Sequence, residues 1–246
     1  MAGLTNSRCT LRRVGKMIPG VRPLYGWFKQ LGTYYRFKTM STEEIFTDIF
    51  RGRKFGGRDS VSGPGSDLYQ TRIIIKELPV LFRTLGISTV PDIPCGYFNW
   101  MSSCDLDDVI YIGADIVEEL VQSNKRQWSR SNVSFQKLNL ISEELLKSGL
   151  VFCRDCLVHL CFKDILGALT NVCRSEAEYL LTTTFPSQEE NRDIVTGDWR
   201  PLNLQRPPFN LPEPVRVINE RYAGSNGKYA DKSLGLWRIH DIAGCI

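Results

Sequence analysis

The sequence predicts an α/β protein: a seven-stranded, mostly parallel sheet with helices on both faces and an antiparallel hairpin at its end. The first observation is that short apolar strand patterns alternate with amphipathic helix patterns between residues 86 and 184, which is typical of parallel sheets. The second is a pair of period-two segments, Val215 to Tyr222 and Leu234 to His240, around the turn Gly224 to Gly227. In an open sheet of this kind, ligands bind at the carboxyl ends of the strands.

Length and composition indicate one large soluble domain with a tail. The chain has 246 residues, of which 42% are hydrophobic and 24% are charged, values that argue against a disordered or membrane-embedded protein. No apolar run reaches the roughly 18 residues that a membrane-spanning helix needs, and no apolar stretch follows the basic N terminus as in a secretion signal. Most of the eight cysteines lie within apolar patterns, so we expect them to be reduced and the protein to be cytoplasmic.

Residues 1–42 are expected to form a basic, aromatic N-terminal extension to a domain over residues 43–246. The extension contains Lys, Arg, Tyr, Trp and Phe but no acidic residue. Such a segment can contact an anionic membrane surface, which would make the protein peripheral at the membrane, or a nucleic acid. A solvated extension that partly packs on the domain is the more common outcome.

A helix, a loop and a second helix are predicted before the first strand. Thr42 to Phe50 has an amphipathic pattern with a capping residue at its start. Four glycines and a proline interrupt the run from Gly56 to Ser66, so we expect a loop that either presents N–H groups to an anion or is a plain turn capped by Ser66. Leu68 to Leu85 has helical periodicity, with a bend expected at Pro79.

Strands and helices then alternate up to residue 184. The predicted strands are Thr89 to Ile93, Val109 to Asp115, Val133 to Leu140, Leu150 to Cys153 and Tyr179 to Thr184. The predicted helices are Val117 to Trp128, Glu143 to Lys147 and Phe162 to Cys173. The proline-rich segment Pro186 to Pro214 has no sustained period, so we expect a long functional loop that forms a wall or lid of an acceptor pocket.

The ends of the first two predicted strands carry residues suited to a nucleotide-type cofactor. Asp115 is an acid at a strand tip, 23 positions after Asp92, and such a carboxylate can bind both hydroxyls of a ribose. Gly96 lies in the turn after the first strand, where the absence of a Cβ lets the backbone approach a ligand. Asp115 could instead simply cap the following helix. Asp92 is expected to organise the turn by accepting hydrogen bonds from backbone N–H groups.

Three motifs, each weak alone, are specific as a set. They are Ser60 to Ser66 (SVSGPGS), Asp92 to Met101 (DIPCGYFNWM) and Phe152 to Leu160 (FCRDCLVHL). Together they resemble class I methyltransferases that depend on S-adenosylmethionine (SAM), and more closely a bacterial branch associated with polysaccharide gene clusters. The resemblance extends from Ile45 to His240.

The resemblance implies a Rossmann-like methyltransferase fold, SAM as the cofactor, and a saccharide or related small molecule as the acceptor. Pro94 and Phe98 stand where that family usually has glycines, which alters how the backbone approaches the cofactor. In that family, Asp115 corresponds to the ribose-binding acid and Asn139 to a polar residue near the adenine. The implied cofactor-binding residues are Ser62, Gly63, Asp92, Pro94, Gly96, Asp115, Ile116, Asn139, Leu140 and Arg154.

His159 and Asp155 are the candidate catalytic residues. If the acceptor is a hydroxyl, methyl transfer requires removal of its proton, which His159 or Asp155 could accept near neutral pH. A histidine that only binds the backbone is the alternative for His159. The cysteines of Cys153 to Cys156 (CRDC) have a spacing seen in zinc sites, but they straddle the end of an apolar strand and no metal is expected.

Two other functions remain open from the sequence. An RNA or protein methyltransferase would use the basic extension as a docking arm, with salt-dependent activity. A non-catalytic interaction module would bind the cofactor without transferring its methyl group. If the protein is instead the small-molecule methyltransferase that the three motifs imply, its expected partner is a small-molecule or glycan acceptor.

Overall fold

The computed structural model describes residues 35–57 and 62–246. The chain divides into two compact units, Met1–Ser41 and Thr42–Ile246. In the described part of the first unit, residues 35–37 are helical, and the N–H and the hydroxyl of Thr39 both donate to the Arg36 carbonyl. The partners predicted for the basic extension concern mainly residues 1–34, which lie outside the described residues, and they stay a prediction.

The second unit is built on one seven-stranded sheet. Its strands are β1 Thr89–Asp92, β2 Ile110–Asp115, β3 Val133–Lys137, β4 Leu150–Cys153, β5 Tyr179–Thr184, β6 Arg216–Asn219 and β7 Ser233–Arg238. Their order is β3-β2-β1-β4-β5-β7-β6, with β1 to β5 parallel and β7 antiparallel to both of its neighbours. The predicted fold, a seven-stranded and mostly parallel sheet with an antiparallel pair at its end, is confirmed.

Helices cover both faces of this sheet. They are α1 Thr42–Arg51, α2 Leu68–Thr71, α3 Ile74–Leu85, α4 Glu118–Trp128, α5 Phe162–Arg174 and α6 Ile239–Ile242. Phe152 of β4 packs in a hydrophobic cluster with α3, whereas its neighbours Val151 and Cys153 pack in a second cluster with α5. Because successive strand residues point to opposite faces, the two clusters are the two sides of the sheet. Within the described residues, no helix has the length and apolarity required to cross a membrane.

The predicted helix Leu68 to Leu85 is in fact two helices. α2 ends at Thr71 and α3 begins at Ile74, so the interruption comes before Pro79, which lies inside α3. The Thr71 hydroxyl donates to the carbonyl of Asp67 (3.1 Å), a local side-chain bond that competes with continued helix. The position of the interruption therefore differs from the prediction.

The predicted helix Glu143 to Lys147 is absent, and the strand before it ends at Lys137 rather than Leu140. The Asn139 side-chain oxygen accepts the Ile141 N–H (2.9 Å), which turns the chain out of the strand. The Asn171 amide then donates to the carbonyls of Leu140 (2.9 Å) and Glu143 (2.6 Å). A side chain of α5 thus satisfies backbone oxygens that a helix would have used.

The C-terminal hairpin is shorter than predicted. β6 and β7 pair only from Arg216 to Asn219 and from Ser233 to Leu236, and residues 220–232 connect them in place of a tight turn. Just beyond the last strand pair, the Glu220 N–H donates to the Lys232 carbonyl (3.0 Å). The hairpin therefore brings two oppositely charged residues together at the end where the loop connects its strands.

Residues 186–214 form a long loop that is held together by its own amide side chains. The Asn203 amide donates to the carbonyls of Pro186 and Gln188, each at 3.0 Å. Arg200 is completely buried and donates to the carbonyls of Leu157 and Leu160, each at 2.8 Å. The loop is thereby fixed to the segment that follows β4.

Candidate active site

A cavity that is partly open to solvent lies at the carboxyl ends of β1, β2 and β4. This is the edge at which sheets of this type bind ligands. Eleven of the twelve predicted site residues line it: Ser62, Asp92, Pro94, Gly96, Asp115, Ile116, Asn139, Leu140, Arg154, Asp155 and His159. Gly63 is the exception, because it faces Phe55, and a Cβ added at this glycine would lie 3.5 Å from the Phe55 Cβ.

The turn after β1 approaches the cavity with its backbone. Gly96 has a φ of +55°, and a Cβ at this position would lie 3.0 Å from the Ser62 hydroxyl oxygen. The same hydroxyl accepts the N–H of Tyr97 (3.2 Å). The turn thus needs a glycine for its conformation, and Ser62 closes the space that the missing side chain leaves.

Asp115 lies at the tip of β2 beside this turn. Its two carboxylate oxygens accept the N–H groups of Val117 (3.0 Å) and Gly96 (3.3 Å). Burial raises the pKa of Asp115 to about 6, while the hydrogen bonds from the backbone act to lower it. A carboxylate has about four lone-pair positions, so both oxygens keep capacity to accept from ligand hydroxyls. Its helix-capping contact and a ligand-binding role are therefore compatible.

Asp92 differs from the prediction in its partner. Its carboxyl accepts the hydroxyl of Tyr111, whereas backbone N–H groups were expected. Burial raises the pKa of Asp92 to about 8, although Tyr111 and Arg154 act to lower it. Tyr111 is the second residue of β2, and no local pattern around Asp92 signals this contact.

Arg154 makes a bidentate ion pair that the sequence did not indicate. Its Nε and Nη2 lie 3.1 and 2.6 Å from the two carboxylate oxygens of Glu220, which is completely buried. Nη2 also donates to the Gly65 carbonyl (2.7 Å), and the guanidinium lies over the Trp100 ring at 5.3 Å. Arg154 lines the cavity, but its donors are directed mainly at protein groups.

Asp155 follows Arg154 with an unusual backbone conformation, φ +53°. Its carboxylate contacts Lys232 Nζ (2.6 Å) and Arg154 Nη1 (3.2 Å), and its N–H donates to the Thr183 hydroxyl (2.8 Å). Burial by itself would raise the pKa of Asp155, but the charges of Lys232 and Arg154 lower it well below its ordinary value. Asp155 is thus an ionised, paired group that is poorly suited to accept a proton.

His159 has its two ring nitrogens in different roles. Nδ1 lies 2.9 Å from the Asp198 carbonyl oxygen, which can only accept, so in the neutral ring Nδ1 carries the proton and Nε2 is an acceptor. Burial lowers the pKa of His159, opposed by the Asp198 hydrogen bond and the charge of Asp155. The ring also stacks on Phe55, with centroids 4.4 Å apart. His159 is therefore neutral near pH 7 with one basic nitrogen.

The long loop does not form a wall of this cavity, contrary to the prediction. None of the residues 186–214 is among those that line it. The loop instead supports the segment behind the cavity, through Arg200 and through the Gly197 N–H, which donates to the His159 carbonyl (2.8 Å). The cavity is instead lined by apolar side chains of α1 and of the residues that follow it: Phe46, Ile49, Phe50 and Phe55.

Cys153 and Cys156 lie side by side at the end of β4. The hydrogen bond with Cys153, followed by burial, raises the pKa of Cys156 well above its ordinary value. Among the residues that the structure describes, no group of three or more His, Cys, Asp or Glu side chains is arranged to hold a metal ion.

No protein-family model matches the chain. No curated protein matches it either. Similar solved structures include magnesium protoporphyrin IX methyltransferase from Synechocystis with bound SAM, which is 18% identical over 63% of this chain and 81% of that one, with a TM-score of 0.47. Human N-acetylserotonin methyltransferase in complex with SAM is 17% identical over 59% of this chain and 42% of that one, with a TM-score of 0.40.

A third similar structure is the methyltransferase domain of the bacterial protein CtHen1-C. It is 14% identical over 48% of this chain, with a TM-score of 0.42, and the match spans 66% of its own length, just under two thirds. These values are low, so the description of the fold rests on the strand order and direction given above.

Proposed function

We propose that this protein is a methyltransferase that binds SAM in the cavity at the ends of β1, β2 and β4. The observation that carries the proposal is the pairing of a Cβ-free turn at Gly96 with the buried carboxylate of Asp115. The two lie on adjacent parallel strands, where a ribose hydroxyl pair can be bound while backbone approaches the rest of the ligand.

The remaining lining residues suit the other parts of this cofactor. Ile116, Leu138 and Leu140 offer apolar surface beside Asn139, a combination that fits an adenine ring. Ser62 lies against the turn after β1, and with Asp92, Pro94 and Arg154 it completes the proposed binding set, from which Gly63 is left out because it does not line the cavity. We assign the ribose to Asp115 and the adenine to the Asn139 segment.

We assign the general base to His159. When bound, SAM supplies a methyl group activated by its sulfonium centre. Nε2 of His159 accepts the proton of the acceptor hydroxyl, because Nδ1 is held by the Asp198 carbonyl. Asp155 remains ionised and favours the imidazolium that forms. The other contribution of the chain is to orient two reactants within one cavity.

A saccharide or related neutral small molecule is our proposed acceptor. Support comes from the aromatic rings that line the cavity at Phe50, Phe55 and Tyr97, since flat apolar surfaces stack on the apolar faces of sugar rings. The resemblance of the three motifs to a polysaccharide-associated branch adds to this support, and a cytoplasmic location remains part of the same prediction.

RNA or protein is the alternative acceptor, favoured by the charge of the N-terminal segment. Residues 1–42 contain many basic and no acidic residues, which suits docking to a polyanion, an anionic membrane included. A variant that lacks residues 1–41 separates the two cases. It should lose transfer to RNA or protein, together with the salt dependence, but keep transfer to a small molecule.

The experiment that tests the proposal is transfer of labelled methyl groups from SAM to neutral saccharides, RNA and protein. We expect transfer to a saccharide, and His159→Gln should reduce the rate by about 10²- to 10⁴-fold, as for other general bases, with little change in affinity for S-adenosylhomocysteine (SAH). His240→Gln is the matched control, since His240 is exposed. Binding of SAM without transfer to any acceptor would indicate the interaction module instead.

A further inference from the structure

Four charged side chains form one continuous ion-pair network beside the cavity. Arg154 and Asp155 follow β4, Glu220 follows β6, and Lys232 precedes β7. In addition to the Arg154–Glu220 and Lys232–Asp155 pairs, Lys232 Nζ lies 3.5 Å from Glu220 Oε2. The side chains of Arg154, Glu220 and Lys232 are 4%, 0% and 6% exposed, whereas that of Asp155 is 24% exposed. Two cations and two anions are therefore balanced in a network that reaches bulk water mainly at Asp155.

The network exists because of the antiparallel hairpin. β7 lies between β5 and β6, and the bond from the Glu220 N–H to the Lys232 carbonyl extends the β6/β7 ladder by one pair. On the other side, the hydroxyl of Thr183 in β5 accepts the Asp155 N–H. Backbone pairing in the hairpin and this side-chain contact from β5 therefore help to set the positions of the charges.

The same network contacts the loop that borders the cavity. Arg154 donates to the Gly65 carbonyl, and a Cβ on Gly65 would lie 3.2 Å from both Asp155 Oδ2 and Lys232 Nζ. The loop therefore rests directly on the charged groups. Its Ser62 in turn binds the Tyr97 N–H in the turn after β1.

A buried ion network adds little net free energy of stabilisation to a hairpin. Desolvation offsets most of the attraction between buried charges, and apolar side chains of similar volume often stabilise as well. Unlike apolar side chains, the network makes contacts of fixed direction. These contacts reach Gly65 and Asp155, both next to the cavity. The network is therefore placed to hold residues of the site.

We propose that Glu220 and Lys232 are positioning residues of the active site. They act through Arg154 and Asp155 to hold residues 62–66 and the segment that leads to His159 in place. The inference rests on the proposed function for its effect on SAM binding, but the effect on His159 can be measured without any cofactor.

The charged groups around His159 determine the direction in which its titration midpoint should shift in each variant. The charged groups that interact with His159 are Asp155 after β4, Lys232 of the hairpin, and Arg200 of the long loop, while Asp198 contributes its carbonyl and Phe55 an apolar ring. Removal of the Lys232 charge should raise the titration midpoint of His159, because that charge lowers the pKa of His159. Removal of the Glu220 charge leaves Arg154 and Lys232 with Asp155 as the one remaining anion of the network, so the network becomes net positive and the midpoint should fall. Removal of both should leave it near the wild-type value.

The experiment is an NMR titration of the histidine ring protons in wild type, Lys232→Met, Glu220→Gln and the double variant. The chain has only two histidines, and His240, which is 98% exposed, serves as the internal reference. We expect opposite shifts of His159 on the order of 0.5 pH units in the two single variants. The exposed Glu213→Gln should leave His159 unchanged.

Calorimetric titration with SAH gives the second readout. Glu220→Gln should weaken SAH binding at least about tenfold, and Glu220→Asp should restore part of the affinity, because a shorter carboxylate can still pair with Arg154. If Glu220→Gln does not fold, the SAH affinity and the His159 midpoint are measured in Lys232→Met and in the charge-balanced double variant instead.

The inference is overturned if folded variants of Glu220 and Lys232 bind SAH as wild type does and leave the His159 midpoint unchanged. Failure of wild type to bind SAH would instead overturn the proposed function. In that case, opposite His159 shifts in the two single variants would still show that the network sets the charge around His159.

Discussion

Three aspartates at the ends of neighbouring strands show how the surroundings of a residue decide its chemistry. Asp92 is buried against a tyrosine hydroxyl and has its pKa raised to about 8. Asp115 is also buried, but hydrogen bonds from backbone N–H groups limit the rise of its pKa to about 6. Asp155 has its pKa lowered by two cations. At neutral pH the latter two are mainly ionised, which suits binding and electrostatic roles respectively.

The pKa of Asp92 leads to a prediction about stability. Its folded-state pKa lies above its ordinary value of 3.8, so the folded protein binds the proton more tightly than the unfolded chain. The contribution to stability is therefore full at low pH and is lost as the pH rises from about 4 to 8. Asp92→Asn resembles the protonated form and does not titrate. The free energy of unfolding of the variant minus that of wild type should therefore increase as the pH rises across this range, by at most about 1.4 kcal/mol per pH unit.

Urea denaturation of both proteins at pH 5, 6.5 and 8 checks this prediction. The difference in the free energy of unfolding should increase at each step. A difference that does not depend on pH would mean that Asp92 is ionised in the folded protein throughout.

The alternation of strands and helices could be predicted from the sequence, because each strand from β1 to β5 is a short apolar run bounded by turn or loop residues. The helix expected at Glu143 to Lys147 was wrong because a distant side chain, Asn171, supplies the donors. The break before α3 was missed because the Thr71 hydroxyl competes for backbone carbonyls. Local periodicity carries no information about either contact.

The turn after β1 gives a prediction at this scale. Gly96→Ala should cost about 1–2 kcal/mol in the free energy of unfolding, because φ is +55° and only glycine adopts such angles without strain. It should also weaken SAH binding, since the new Cβ would displace Ser62 from the turn. Gly86→Ala is the matched control: φ is +65° and nothing lies within 4 Å of its Cβ.

Thermal or urea denaturation together with calorimetry separates the two effects. Both variants should be destabilised to a similar extent, and only Gly96→Ala should bind SAH more weakly. Equal SAH affinities in the two variants would contradict the close approach of this turn to the ligand.

At the scale of the whole molecule, the fold brings eleven of twelve predicted residues around one cavity. Sequence reasoning found them because they follow strand ends, and a parallel sheet collects its strand ends at one edge. It missed Glu220 and Lys232, which lie 66 and 77 residues from their partners Arg154 and Asp155 and meet them only through the antiparallel insertion of β7. It also assigned the cavity wall to the long loop instead of α1, since an amphipathic pattern does not reveal what a helix covers.

Calorimetric titration of SAH into wild type, Asp115→Ala and Asp107→Ala at pH 7.5, where Asp115 is mainly ionised, tests whether the cavity binds the cofactor through Asp115. Wild type should bind, and Asp115→Ala should weaken binding at least about tenfold, because hydrogen bonds to a charged group contribute roughly 1.5–3 kcal/mol each. The exposed control Asp107→Ala should bind as wild type does. A folded wild type that does not bind SAH, or an Asp115→Ala variant with unchanged affinity, would show that Asp115 does not hold SAM in this cavity.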